Sequence, residues 1–373
     1  MLKKFLIYIL TAAFLCASLP AVTSAASENI SVSAESAILI CGDDNSVIFE
    51  KNARSRMAMA STTKIMTCLV AIEKGNLQDV VKVAPEAIGV EGSSLYLQKG
   101  DSVTLEGLLY ALMLRSANDT ATAIACHIAG SVEGFADLMN EKAAELGLEN
   151  THFTNPHGLQ DDDHYTSAYD FAVLASYAMK NETFAKIVGT RSYTVSLNDG
   201  DCLKTVVNHN KMLRLYEGAN GVKTGFTKSS GRCLVSSAER DGVTMIAVTL
   251  NAPNDWQDHE KMLDLGFSKY SNVLLLEKGQ LRKTFDVAGC GTVDAVNTDE
   301  IRATLRNGTE VSYEVTAKNR LLFSPVLKGD VLAEAKILAD GKVIGTVPLY
   351  ATEDKIIVEE KTFFDKVKDF FKK

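Results

Sequence analysis

The spacing of apolar residues changes along the chain, and the changes mark out its parts. Residues 36–53, "SAILICGDDNSVIFEKNA", place two apolar runs around a turn-rich "GDDNS" and predict a β-hairpin. Helical spacing follows. "STTKIMTCLVAIEKG" runs from a Ser or Thr cap to Gly75, and "SVEGFADLMNEKAAELGL" is amphipathic with a stop at Gly147. "TLEGLLYALMLRSANDTATAIACHIAG" holds two apolar helices meeting near Ser116, and "TSAYDFAVLASYAMKN" is a further helix. Strand patterns return in "RSYTVSL", "GVKTGFT" and "GRCLVSSAERDGVTMIAVTLN", the last a hairpin turned at Asp241 and Gly242. "DWQDHEKMLDLGFSKY" reads as a closing helix. Helices enclosed between an early hairpin and late strands predict an α/β domain whose two ends share one antiparallel sheet.

The pattern shifts again near residue 275. Short alternating stretches such as "EVSYEV" and "GDVLAEAKILADGKVIGTVPLYA", separated by Gly and Asn turns, predict a small all-β domain over 275–352. In the tail, 353–373, Phe363, Phe364, Val367, Phe370 and Phe371 fall on one helical face. Five lysines against two aspartates in residues 361–373 occupy the remaining positions. An aromatic face opposite a lysine-rich one predicts a helix lying in a membrane interface. Residues 1–26 read as an export signal: Lys3 and Lys4, an apolar run from Phe5 to Leu19, then small residues before a cleavage site near Ser24 to Ala26. The main domain is thus expected over 27–274.

Charge and cysteine content narrow the function. A net charge of −8 without a long basic run in the body argues against a nucleic-acid partner. Six cysteines remain beyond Cys16, scattered and without a CxxC pair, which favours buried free thiols over a disulfide framework or a metal site. His152, His157 and His164 stand beside three aspartates, but without HExxH they are read as structuring a loop around "NPHGL".

The candidate chemistry lies in "AMASTTKIMT". Ser61 and Lys64 are three apart and share a helical face. A serine hydroxyl is a weak nucleophile until a base takes its proton, and lysine serves once its pKa is lowered. A serine cap followed by a surface lysine has the same spacing, so partners decide the matter. "RSANDT" supplies Ser116 and Asn118, 55 residues beyond Ser61, and "GVKTGFT" supplies Lys223, Thr224, Gly225 and Phe226 on a predicted strand. Ser116 can relay a proton to a leaving amine, and Asn118 can hold the substrate amide and the Lys64 ammonium. Lys223 adds a second cation that depresses the Lys64 pKa and attracts a carboxylate, which Thr224 can also bind. Gly225 leaves a strand edge bare for a peptide to lie alongside. The N–H groups of Ser61 and Phe226 can form an oxyanion hole.

An S-x-x-K pair, an S-x-N triplet and a K-T-G triplet, in this order, form the motif set of β-lactamases and penicillin-binding proteins. With the signal, "NPHGL", the β domain and the amphipathic tail, the chain resembles the low-molecular-mass penicillin-binding proteins, serine-type D-alanyl-D-alanine carboxypeptidases. The resemblance implies a transpeptidase/β-lactamase-like fold, a five-stranded antiparallel sheet with helices on both sides. It implies release of the terminal D-alanine from peptidoglycan stem peptides through an acyl-enzyme. Ser61 would be the nucleophile, Lys64 its base and Ser116 the relay, with Lys223 at the substrate carboxylate. Penicillin would acylate Ser61, no cofactor is needed, and the enzyme would work at the outer face of the cell membrane. Many members carry histidine after K-T-G where this chain has Phe226, which keeps the backbone donor. A β-lactamase reading wants a deacylating glutamate between the second and third motifs, and no E-x-x-x-N stands there. A D,D-endopeptidase would use the same site. A catalytically silent muropeptide-binding protein predicts a broken motif, and none is broken.

Overall fold

The structure, a computed structural model, describes residues 30–319 and 321–357. The signal of 1–26 and all of the tail beyond residue 357 therefore lie outside the described residues. In chain order, strands β1 (Ser36–Cys41) and β2 (Val47–Lys51) form the expected hairpin. A 3₁₀ turn, Ala60–Thr63, leads into α1 (Lys64–Lys74). Next come β3 (Val80–Lys82), β4 (Ser102–Thr104), α2 (Leu105–Tyr110) with a π turn at Ala111–Arg115, α3 (Asn118–Ala129) and α4 (Val132–Glu145). They are followed by α5 (Ala168–Met179), α6 (Glu182–Gly189), β5 (Ser192–Leu197), β6 (Cys202–Val207) and α7 (Met212–Leu215). The domain closes with β7 (Ala219–Thr227), β8 (Gly231–Arg240), β9 (Val243–Leu250) and α8 (Asp255–Lys269).

Five strands make one antiparallel sheet in the order β2-β1-β9-β8-β7. The first and last parts of the domain meet at its centre, where Ser36 pairs with Leu250 and Cys41 with Met245. Alternate residues of a strand face opposite sides, so a strand covered on both faces is apolar throughout. Strand β1 is buried at every position for this reason. Ile38 and Ile40 join Ile246 and Val248 in the core under α1, α3 and α5. Leu39 and Met245 turn to the other face, where Gly266 lets α8 approach both closely. The β8–β9 turn is as expected: Asp241 (φ 52°) and Gly242 (φ 74°) carry the positive φ pair of a tight hairpin. A smaller sheet, β3-β4-β5-β6, flanks this domain and was not anticipated, because β3 and β4 are only three residues each.

Beyond α8 the chain is all β. Strands β10 (Tyr270–Leu276) and β13 (Ile301–Arg306) pair with each other. Strands β11 (Arg282–Ala288), β12 (Gly291–Val296), β14 (Val311–Ala317), β15 (Leu322–Phe323), β16 (Val331–Ala339) and β17 (Lys342–Ala351) form a six-stranded sheet. One face of it supplies a core of Phe285, Val287, Val293, Ala295, Leu332, Ala333 and Leu349. The alternating pattern of residues 275–352 is therefore that of a C-terminal all-β domain.

Candidate active site

Ser61 sits in the 3₁₀ turn that precedes α1, two residues before the helix cap at Thr63. Two side-chain hydrogen bonds brace the turn. Thr62 Oγ1 donates to the Met59 carbonyl at 2.5 Å, and Thr63 Oγ1 donates to the Ala60 carbonyl at 2.7 Å. Ala60 adopts φ 47°, a left-handed conformation that costs an L-residue energy and persists only where its surroundings enforce it. Those surroundings are tight. A Cβ on Gly158 would fall 2.0 Å from the Ala60 oxygen, and a Cβ on Gly225 would fall 3.1 Å from Met59 O, Ser61 N and Thr62 N. Strand β7 lies at the sheet edge, as expected. The need for glycine at 225 arises on its other side: the backbone carrying Ser61 packs straight onto it.

Lys64 is wholly buried, and its amine meets three oxygens. Nζ lies 2.9 Å from Ser61 Oγ, 2.7 Å from Asn118 Oδ1 and 2.5 Å from the His157 carbonyl. The Asn118 amide is oriented by its own Nδ2, which donates to the Glu91 carbonyl at 2.5 Å, so Oδ1 must face the lysine. Burial is the main cause that holds the Lys64 pKa well below the ordinary lysine value; the charge of Lys223 lowers it further, against an opposing pull from Asp119. A neutral amine has two N–H donors and one lone pair. Asn118 Oδ1 and the His157 carbonyl accept only, so they take the two N–H groups. The lone pair is left for the Ser61 hydroxyl. The geometry accommodates the neutral amine, and burial favours it, so Lys64 can act as a base.

Lys223 is also buried, 2% exposed, and donates to the Thr224 carbonyl at 2.9 Å. Burial pushes its pKa down to about 7. Ser116 stands at the break between the π turn and α3 in a left-handed conformation, φ 62°. A cleft of about 380 Å³ opens over these groups and is lined by Ser61, Ser116, Thr224, Gly225 and Phe226. Ser93, His209, Lys211, Arg232, Asp255 and Trp256 complete its wall. The structure thus brings all eight sequence candidates to one place. Lys64, Asn118 and Lys223 lie behind the cleft wall rather than in it.

Sequence reasoning read His152, His157 and His164 as structuring a loop around "NPHGL", but missed what that loop presents to Lys64. Asn155 Oδ1 accepts from Gly158 N at 2.7 Å, and the Pro156 carbonyl accepts from Thr67 Oγ1 at 2.6 Å, which presents the His157 carbonyl to Lys64. His164 is buried under the turn. Its Nδ1 accepts from Thr154 N at 3.0 Å, so Nε2 carries the proton and donates to Thr63 Oγ1 at 2.8 Å. Burial lowers its pKa to about 4 and keeps it neutral. Asp119 accepts from Leu95 N, Leu97 N and Ser94 Oγ, and so fixes the loop in front of α3. "NPHGL" signalled a turn, but nothing in it signalled a carbonyl aimed at a lysine.

A hydroxyl and a buried amine at bonding distance, beside the edge of an antiparallel sheet, define a serine peptidase with a lysine base. The chain belongs to the D-alanyl-D-alanine carboxypeptidase family, whose model matches residues 22–254. The model of the penicillin-binding protein 5 C-terminal domain matches residues 270–355. Among curated relatives, the D-alanyl-D-alanine carboxypeptidase DacF of Bacillus subtilis is 35% identical over 335 residues, 86% of this chain and 85% of the relative. DacC of Escherichia coli is 30% identical over 364 residues, 91% of this chain and 88% of the relative. Among solved structures, penicillin-binding protein 5 from Haemophilus influenzae matches with a TM-score of 0.66 and 26% identity, covering 88% of this chain and 99% of that one.

Proposed function

We propose that this chain is a serine-type carboxypeptidase that removes the terminal D-alanine from peptidoglycan stem peptides and is acylated by penicillin at the same serine. The observation that carries the reading is the Lys64 amine, buried, 2.9 Å from Ser61 Oγ and with its two N–H groups already committed. Lys64 takes the hydroxyl proton as Oγ attacks the penultimate D-alanine carbonyl. The oxyanion is received by the N–H groups of Ser61 and Phe226, on neighbouring backbones that Gly225 allows to touch. Ser116 passes the proton to the departing D-alanine amine. Water then hydrolyses the ester, with Lys64 again as base. Lys223 acts on Lys64 through its charge, while the substrate carboxylate meets Thr224 in the cleft wall. The peptide lies against the edge of β7.

The signal pattern of 1–26 supports export, and the aromatic and lysine-rich faces of the tail support attachment to the membrane surface. Among the described residues no helix is long and apolar enough to cross a membrane.

The test is release of D-alanine from a peptide ending in Lys-D-Ala-D-Ala. The wild-type chain should release it and bind one penicillin covalently. Ser61→Ala should do neither, and Lys64→Ala should slow acylation roughly 10²- to 10⁴-fold. Folded protein that neither releases D-alanine nor takes up penicillin would end this reading.

A further inference from the structure

The all-β domain carries an apolar stripe that its own core does not use. In residues 321–327, "LLFSPVL", Leu322 and Val326 are buried in the core of the six-stranded sheet. Leu321, Phe323 and Leu327 are 71%, 67% and 47% exposed, and Pro325 is exposed between them. Strand β15, within this segment, ends the sheet, with β11 as its neighbour. The outward positions of an edge strand ordinarily present polar or charged groups to water. Here all four are apolar. A second segment widens the stripe. Val326 and Lys355 exchange backbone hydrogen bonds at 3.0 and 2.7 Å, and Ile357 N donates to Ser324 Oγ at 2.8 Å. These bonds lay Ile356 and Ile357, 52% and 54% exposed, alongside the same stretch. Exposed apolar residues standing singly need no explanation, but two adjoining segments of them mark a contact surface.

From this we infer that the stripe is a second membrane contact, set into the lipid interface beside the tail. The inference rests on the reading that the tail lies at the membrane surface. The position of the stripe in the chain argues for lipid. Ile357 is the last described residue, and Phe363, the first aromatic of the tail's apolar face, follows six residues later. Six residues reach at most about 20 Å. Once the tail is seated, contact between stripe and lipid is therefore an intramolecular step at high effective concentration. The chemistry agrees. Both backbone groups of Val326 are taken, so a partner strand has little to bond to there, whereas a fluid apolar phase needs only side chains. Residues 321–327 hold no charge. Lys355 beside them is paired with Glu353 at 2.9 Å, and Lys318 with Glu334 at 3.8 Å. The stripe thus grips by burial, while the five lysines of residues 361–373 act by charge. It is too small to hold the chain alone; it strengthens and orients a chain that the tail has brought down.

The test uses the mature chain, residues 27–373, and vesicles of equal parts phosphatidylcholine and phosphatidylglycerol. Replacing the stripe's two most exposed residues, Leu321→Ser with Phe323→Ser, should weaken vesicle partitioning roughly 10- to 100-fold. Thermal unfolding and D-alanine release from a soluble peptide should not change. The factor should be the same at low and high salt, because burial is not screened. In Phe323→Trp, the new indole should be quenched by bromine-labelled lipid, measured against the background of Trp256, the chain's own tryptophan. Equal partitioning of wild type and double variant would overturn the inference, as would an unquenched indole. A loss that vanished at high salt would assign the effect to charge and overturn it too. An indole shielded without lipid, and uncovered by deleting residues 358–373, would make the tail the occupant of the stripe. Shielding that grew with protein concentration would make a second copy the occupant. Either result would overturn the lipid assignment. If the wild type bound no vesicles, the tail reading itself would fail, and the stripe's role with it.

Discussion

At the scale of single residues, Lys64 connects burial to chemistry. Removing its like-charged neighbour tests the connection. A nearby cation disfavours protonated Lys64, so Lys223→Ala should raise the Lys64 pKa. The acid limb of the pH profile for penicillin acylation should then move to higher pH. Burial, the larger cause, remains, so the limb should stay below the ordinary lysine range. A limb that stood still or moved to lower pH would mean that another group controls the limb. The same scale shows what a sequence can and cannot say. The grouping of Ser61, Lys64, Ser116, Asn118 and Lys223 was legible because the motifs are side chains at recognisable spacings. The third oxygen on Lys64 was not, because a backbone carbonyl has no letter of its own.

At the scale of elements, the serine's turn is clamped between β7 and the loop that holds Gly158. Gly225→Ala would place its Cβ 3.1 Å from three backbone atoms, none of which can rotate aside. We expect a loss of about 1–3 kcal/mol in stability and a slower acylation, read by thermal unfolding and by penicillin labelling. Gly158→Ala should be worse on both measures, since it adds a 2.0 Å contact to a φ of +88°. If Gly225→Ala proved the more damaging, the clamp would have been assigned to the wrong side. Beneath the turn, His164 links stability to acidity. Its folded pKa of about 4 lies below the ordinary 6.5, so the unfolded chain binds its proton first. The stability it contributes is complete above pH 6.5 and is lost as pH falls to about 4, by about 3 kcal/mol for one such group. His164→Gln should flatten the slope of unfolding free energy against pH between those limits. An unchanged slope would place the acid sensitivity elsewhere, for example at buried His259, whose pKa lies at about 3. Long periodic elements such as α1, α8 and the β8–β9 hairpin were visible in the sequence. Strands β3 and β4 were too short for any period to register.

At the scale of the whole molecule, the proposed membrane attachment through the tail can be separated from the peptidase activity. Deleting residues 358–373 should abolish binding to vesicles containing anionic lipid while leaving D-alanine release from a soluble peptide unchanged. Vesicle binding that survived the deletion would move attachment to another part of the chain.

The pairing of β1 with β9 also has a bearing on timing. Ser36 cannot meet Leu250 until more than two hundred further residues have been made, and β1 has no other route into the centre of the sheet. Contacts so distant in sequence close slowly, because the intervening loop must first be ordered. A chain that emerges from its N-terminus therefore stays incompletely folded until its peptidase domain is nearly finished. With export as proposed from the signal pattern of 1–26, that delay would keep the chain in a form that can still be threaded through a membrane.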